Sequence, residues 1–171
     1  MSDMSEMHAI LSACGLFRYR LDRRPADLFG GLVIAYIGVN PSTADHVTND
    51  RTVDKWTGFT KLFGGSRFVV GNVFAFRSKD VKTLARAADP IGPDNDSHLA
   101  AIIAEADILV PCWGPRSKVP RALRPRYDDV MRMLRASGKP VKVFGLSKDG
   151  DPLHPLMLAY STQLSEWREA A

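Results

Sequence analysis

Apolar residues come along this chain in short, regularly separated runs, and the period of each run predicts an element. Leu32 to Ile37 is almost unbroken apolar, the pattern of a central parallel strand covered on both faces. Arg67 to Phe76, Asp107 to Cys112 and Val141 to Leu146 read as three further strands. Between them the period becomes helical. Trp56, Phe59 and Phe63 stand at i, i+3 and i+7 within Thr52–Phe63, which Gly64-Gly65 ends. Ser97 can cap a segment with Leu99, Ile102, Ile103 and Ala106 on one side. Tyr127, Val130, Met131 and Leu134 mark a third helix, stopped by Gly138-Lys139-Pro140.

At the ends the pattern is weaker. Residues 1–15 predict a short helix or lead-in, and Leu16 to Leu21 alternates with period two, as a basic strand at a sheet edge. Pro155 to Ala171 predicts a short closing helix. Strands alternating with helices give an α/β fold: a three-layer α/β/α sandwich around a central, mainly parallel four-stranded sheet, with an extra N-terminal edge strand, in a single domain over residues 1–171.

Composition changes this picture little. The 171 residues are 45% hydrophobic and 25% charged, the balance of an ordinary globular chain. No apolar run has the length of a membrane span, and Met1 to His8 is acidic without the apolar core of a signal peptide, so the expected setting is the cytoplasm, away from membranes, as a monomer. Cys14 and Cys112 are too few for a disulfide framework or a four-thiolate metal site, and read as small buried residues.

Charge adds more. The formal net charge of +4 is compatible with a polyanionic partner. Arg116, Lys118, Arg121, Arg124 and Arg126 crowd into one stretch with Pro115, Pro120 and Pro125, which prevent a long helix; the result is a basic irregular loop, either solvated or gripping phosphate. The phosphate-loop, G-x-G-x-x-G and nucleophile-elbow motifs are all missing, and the four histidines do not fall in metal-ligand pairs. No metal or cofactor is expected.

In a parallel sheet the loops that follow the strands meet at one edge, where ligands bind. Those loops carry Gly38-Val39-Asn40-Pro41 and Asp45; Asn72, Phe74 and Arg77; Trp113 with Arg116 and Arg121; and His154. Gly38-Val39-Asn40-Pro41 after a buried strand resembles the Gly-x-Asn/Asp-Pro turn of the uracil-DNA glycosylase superfamily, nearest its mismatch-specific thymine/uracil branch. Phe68 to Val73 is similar to that family's base-reading strand, and His154-Pro155-Leu156 to its His-Pro-Ser loop. Over roughly residues 14–158 the chain also resembles an uncharacterised bacterial and phage family, DUF1643, through Ile37 to Asp45, Asn72 to Arg77, Asp89 to Asp96, Trp113-Gly114 and Lys148 to Leu156.

The glycosylase resemblance implies a uracil-DNA glycosylase-like fold and hydrolysis of the bond between a base, possibly modified, and deoxyribose. It implies that Asn40 positions water, that Asn72 reads the base, and that His154 steadies the departing base while its loop enters the minor groove. Asp45 joins Asn40 and His154 as a catalytic candidate. Gly38 and Pro41 shape the base site, Phe74 or Trp113 offers a stacking face, and Arg77, Arg116 and Arg121 contact phosphates. Two departures keep the substrate open between DNA and a free nucleotide or nucleoside: Leu156 stands where the family has serine, and Asp45, Asp50 and Asp54 make the loop after Asn40 acidic. The other readings are a non-catalytic nucleic-acid or nucleotide binding module and a hydrolase of free nucleosides or nucleotides.

Overall fold

A computed structural model describes residues 6–28 and 31–168. Its main sheet has five strands: β1 (Glu6–Leu11), β2 (Arg18–Arg24), β3 (Leu32–Gly38), β4 (Gly65–Asn72) and β5 (Ile108–Pro111), in the order β1-β2-β4-β3-β5. β4, β3 and β5 run parallel, whereas β2 pairs antiparallel with β4 and β1 antiparallel with β2.

Helices cover both faces. α1 (Arg51–Leu62) lays Val53, Trp56 and Phe59 on Ile34, Tyr36, Phe68 and Val70. α2 (Asn95–Glu105) and α3 (Pro125–Ala136) bury Leu99, Ile102, Tyr127, Val130 and Leu134 on the opposite face, with Ala35, Ile37 and Val69. Period-two alternation along β3 and β4 divides these two apolar sets. α1 is started by Asp50, whose carboxylate accepts the Val53 N–H at 2.9 Å. α2 starts earlier than Ser97, with Asp94 before its first turn.

The sequence-based expectation needs four corrections. Residues 6–11 form β1 rather than a helix, because they cover the otherwise open edge of β2; β2 is therefore interior and β1 is the edge. The fourth parallel strand contracts to β6 (Lys142–Val143), which pairs antiparallel with β7 (Ser165–Glu166) and touches β5 through a single parallel bridge between Leu109 and Val141. Gly145, at φ +140°, then turns the chain out of line. Within the closing segment the helix is only a 3-10 turn, Pro155–Met157; residues 1–5 and 169–171 of the two predicted terminal helices lie outside the described residues. Finally, Cys112 is buried but Cys14 is exposed. No described helix is long and apolar enough to cross a membrane.

Candidate functional site at the strand ends

β3 and β4 finish side by side, with Gly38 in register with Asn72. Glycine is required here by close approach. A Cβ on Gly38 would lie 2.8 Å from Asn72 Oδ1. The Asn72 side chain thus folds over the end of β3, beside Trp56, and is 3% exposed. Its Nδ2 has no hydrogen-bond partner among the described residues. Asn95, fully buried at the start of α2, fixes the backbone beneath by donating to the carbonyls of Asn72 at 3.0 Å and Val73 at 3.3 Å.

Asn40 sits just beyond that edge. Its Nδ2 donates to the carbonyls of Ser78 at 2.8 Å, Pro41 at 3.1 Å and Phe76 at 3.4 Å. Carbonyls only accept, so these contacts fix which end of the amide is nitrogen and leave Oδ1 as its free acceptor. Pro41 is buried, and its carbonyl also accepts the Ser78 N–H at 2.9 Å, joining the loops after β3 and β4. Asp45 is committed elsewhere. Its carboxylate accepts the N–H groups of Val47 and Thr48 at 2.9 and 2.8 Å, and these bonds hold its pKa below the usual carboxylate range.

His154 reaches the same edge from the loop after β6. That loop is seated by the Gly114 N–H donating to the Pro152 carbonyl at 3.0 Å. Gly114 has φ +74°, and a Cβ on it would lie 3.5 Å from the His154 Cβ. His154 Nδ1 accepts the Leu156 N–H at 3.2 Å, capping the 3-10 turn. Burial, then the Lys118 ammonium, lower the His154 pKa against a smaller opposing effect of Asp50. The ring is therefore neutral near pH 7, and with Nδ1 accepting, its proton lies on Nε2.

The remaining candidates separate into core, loop and free cations. Phe74 is fully buried, edge-on to Tyr127 at 6.0 Å. Trp113 is 3% exposed and packs on Tyr127 and Trp167, so both rings serve the core rather than an open stacking face. Arg116 pairs with Asp128 at 2.8 Å and Asp151 at 3.3 Å and lies over Tyr127, which ties the basic loop down instead of presenting it to phosphate. Arg121 is exposed. Arg77 lines a cavity of about 370 Å³ with Gly15, Ser42, Thr43, Ser78 and Lys79, and its Nε is buried without a partner.

Arg18 was not among the sequence candidates. It is 3% exposed, and burial lowers its pKa to about 10, with Asp50 opposing and Arg77 contributing to the lowering. Asp50, the α1 cap, is thus within electrostatic reach of both Arg18 and His154. The strand ends gather hydrogen-bond donors: the Asn72 amide, the His154 Nε2–H and two guanidiniums. Among the described residues no cluster of three or more His, Cys, Asp or Glu is placed to hold a metal ion.

The sequence matches the family described as "Protein of unknown function (DUF1643)" over residues 18–156. The chain belongs to the DUF1643 family. The matched span includes Arg18, Gly38, Asn40, Asn72, Arg77 and His154. No curated protein and no solved structure matches the chain.

Proposed function

We propose that this DUF1643 protein binds a nucleobase at the strand ends and hydrolyses the N-glycosidic bond joining it to deoxyribose, in the manner of a uracil-DNA glycosylase-like sandwich. The observation that carries this reading is Asn72: a buried amide, held over Gly38, whose Nδ2 has no partner among the described residues. A buried donor left unpaired costs about 1–3 kcal/mol, which an acceptor on a bound base recovers.

The neighbours fit the rest of the reaction. Water adds to the sugar C1′ while the base departs with the electron pair of the glycosidic bond, and the proton that the added water sheds ends on the departed base. Asn40 offers Oδ1 to accept from that water, since its Nδ2 is engaged by backbone. The neutral His154 donates through Nε2–H to the base as negative charge collects there, a form of stabilisation that costs no proton transfer. Met157, 88% exposed on the turn that His154 caps, is an apolar tip of the kind that enters a base stack. Arg77 and Arg121 are the cations available for phosphate. The protein acts on DNA or a nucleotide as a monomer.

The test is abasic-site formation, read by alkaline strand cleavage, on oligonucleotides carrying uracil, hypoxanthine, mismatched thymine or hypermodified bases. One of these is cleaved, and Asn72→Ala or His154→Gln slows cleavage about a hundred-fold. Absence of strand lability on the whole panel with enzyme in excess sinks the hydrolytic reading. Asp45 favours one second reading. Because its carboxylate closes its own turn, Asn40 has no evident general base, which suits a module that binds nucleotides without turnover. That module shows salt-dependent binding and no released base.

A further inference from the structure

Arg18 carries a buried positive charge that the protein does not neutralise by contact. Its side chain makes one hydrogen bond, from Nη1 to the Ala44 carbonyl at 2.5 Å, and its Nε has no partner. Neither Arg18 nor Arg77 forms an ion pair among the described residues, although the two guanidiniums are close enough to repel. Asp50 and Asp45 attract Arg18 only from beyond contact. An unpaired buried ion is among the most costly features a fold can hold. Arg18, fully enclosed, and Arg77, half-buried, each with an N–H that finds no partner among the described residues, call for an anion that is not part of the chain.

The cavity that Arg77 lines has the right chemistry, although Arg18 is not part of its wall. Arg77 and Lys79 supply charge, and Ser42 and Thr43 supply hydroxyls that make no hydrogen bond among the described residues. It opens where the Asn40 amide joins the loops after β3 and β4, so a group held there is a short reach from the Asn40 turn. Guanidinium pairs favour phosphate oxygens over most other anions because of their forked, bidentate geometry.

We infer that Arg77, with Ser42, Thr43 and Lys79, forms a phosphate seat that anchors the substrate by the phosphate on its sugar, with Arg18 adding positive charge from outside the lining. This rests on the reading of the strand ends as a nucleotide site, and names the part of the substrate recognised. The phosphate is the monoester of a free nucleotide or a backbone diester of DNA.

Calorimetric binding tests the seat without reference to the base. Deoxyribose 5-phosphate binds the wild type, deoxyribose does not, and Arg77→Ala or Lys79→Ala weakens the phosphate-bearing sugar about ten-fold or more. Arg132→Gln, an exposed arginine on α3, leaves binding unchanged. Arg77 is the safer substitution, since its side chain makes a single long bond, to the Gly15 carbonyl at 3.4 Å. A second arm compares a single-stranded 12-mer with one carrying a neutral methylphosphonate linkage. Phosphate dependence in the sugar alone assigns the monoester, and dependence in the 12-mer alone assigns the diester. No phosphate dependence in either arm, or dependence that survives both substitutions, overturns the seat. Phosphate binding without base release defeats the proposed hydrolysis and leaves the seat standing; base release that ignores both substitutions does the reverse.

Discussion

The basic loop of residues 115–126 and Arg18 on β2 put the same side chain into opposite situations. In the loop, Arg116 is held by Asp128 and Asp151, and Arg124 donates to the carbonyls of Val119 and Ser117. Arg126 is 7% exposed, with Nε on the Val73 carbonyl at 3.1 Å and a partner in Asp96 at 2.5 Å. Arg18 is as deeply buried, yet has one carbonyl and no carboxylate in contact. The loop's clustered arginines are structural, and Arg18 is the one left with an unmet charge. Density of charge along a sequence measures how many cations there are, not how many are free.

The contrast is sharpest in stability. Arg126→Met removes hydrogen bonds that tie α3 and the basic loop to the β4 edge, and should cost about 2 kcal/mol. Thermal denaturation checks it, with a melting point lower by about 4–8 °C for a chain of this size. Arg18→Met, in the absence of ligand, should stay within about 1 kcal/mol of wild type or exceed it, because removing an unpaired buried charge relieves its desolvation. If both substitutions destabilise equally, Arg18 is as well satisfied as Arg126 and the comparison collapses.

A smaller effect tests whether the loop reaches the site through charge alone. Lys118 is exposed and lowers the His154 pKa. NMR titration should find His154 below the ordinary 6.5, and Lys118→Gln should move it upward. The sign for stability follows: near pH 6.5 the unfolded histidine takes up a proton that the folded one resists. The contribution of His154 is therefore fully present above that pH and is lost as pH falls through the folded value. Denaturant titrations of wild type and His154→Gln should converge on acidification. A pH-independent difference between them would mean that burial and Lys118 do not act on the ring.

Much of the fold was legible because it rests on periodicity. The apolar run at Leu32 is β3, and the positions read as inward on the helices, Trp56, Phe59, Leu99, Ile102, Tyr127, Val130 and Leu134 among them, are buried. Gly38, Asn40, Asn72 and His154 were legible as strand-end residues because glycine, proline and a polar side chain after an apolar run mark a turn. The positions of Arg18, Phe74 and Trp113 were not. Alternation puts Arg18 and Arg20 on one face, but β1 pairs Leu11 with Arg18 and Ile10 with Arg20, a bulge that leaves Tyr19 as the extra residue. Arg20 then meets Glu105 at the end of α2, while Arg18 turns to Ala44.

The sequence alone determined the order of the elements from β3 to α3, the apolar face of each helix and the residue types at the strand ends, since these depend on neighbours within a turn or a strand. Tertiary structure alone decided which polar groups are spent. Asp45 bends into its own turn, and Arg116 finds two carboxylates. Asn72 and Arg18 are left buried with unanswered N–H groups. A hydrogen bond or ion pair is a relation between residues far apart in the chain, and its absence can be read only once every other partner has been placed.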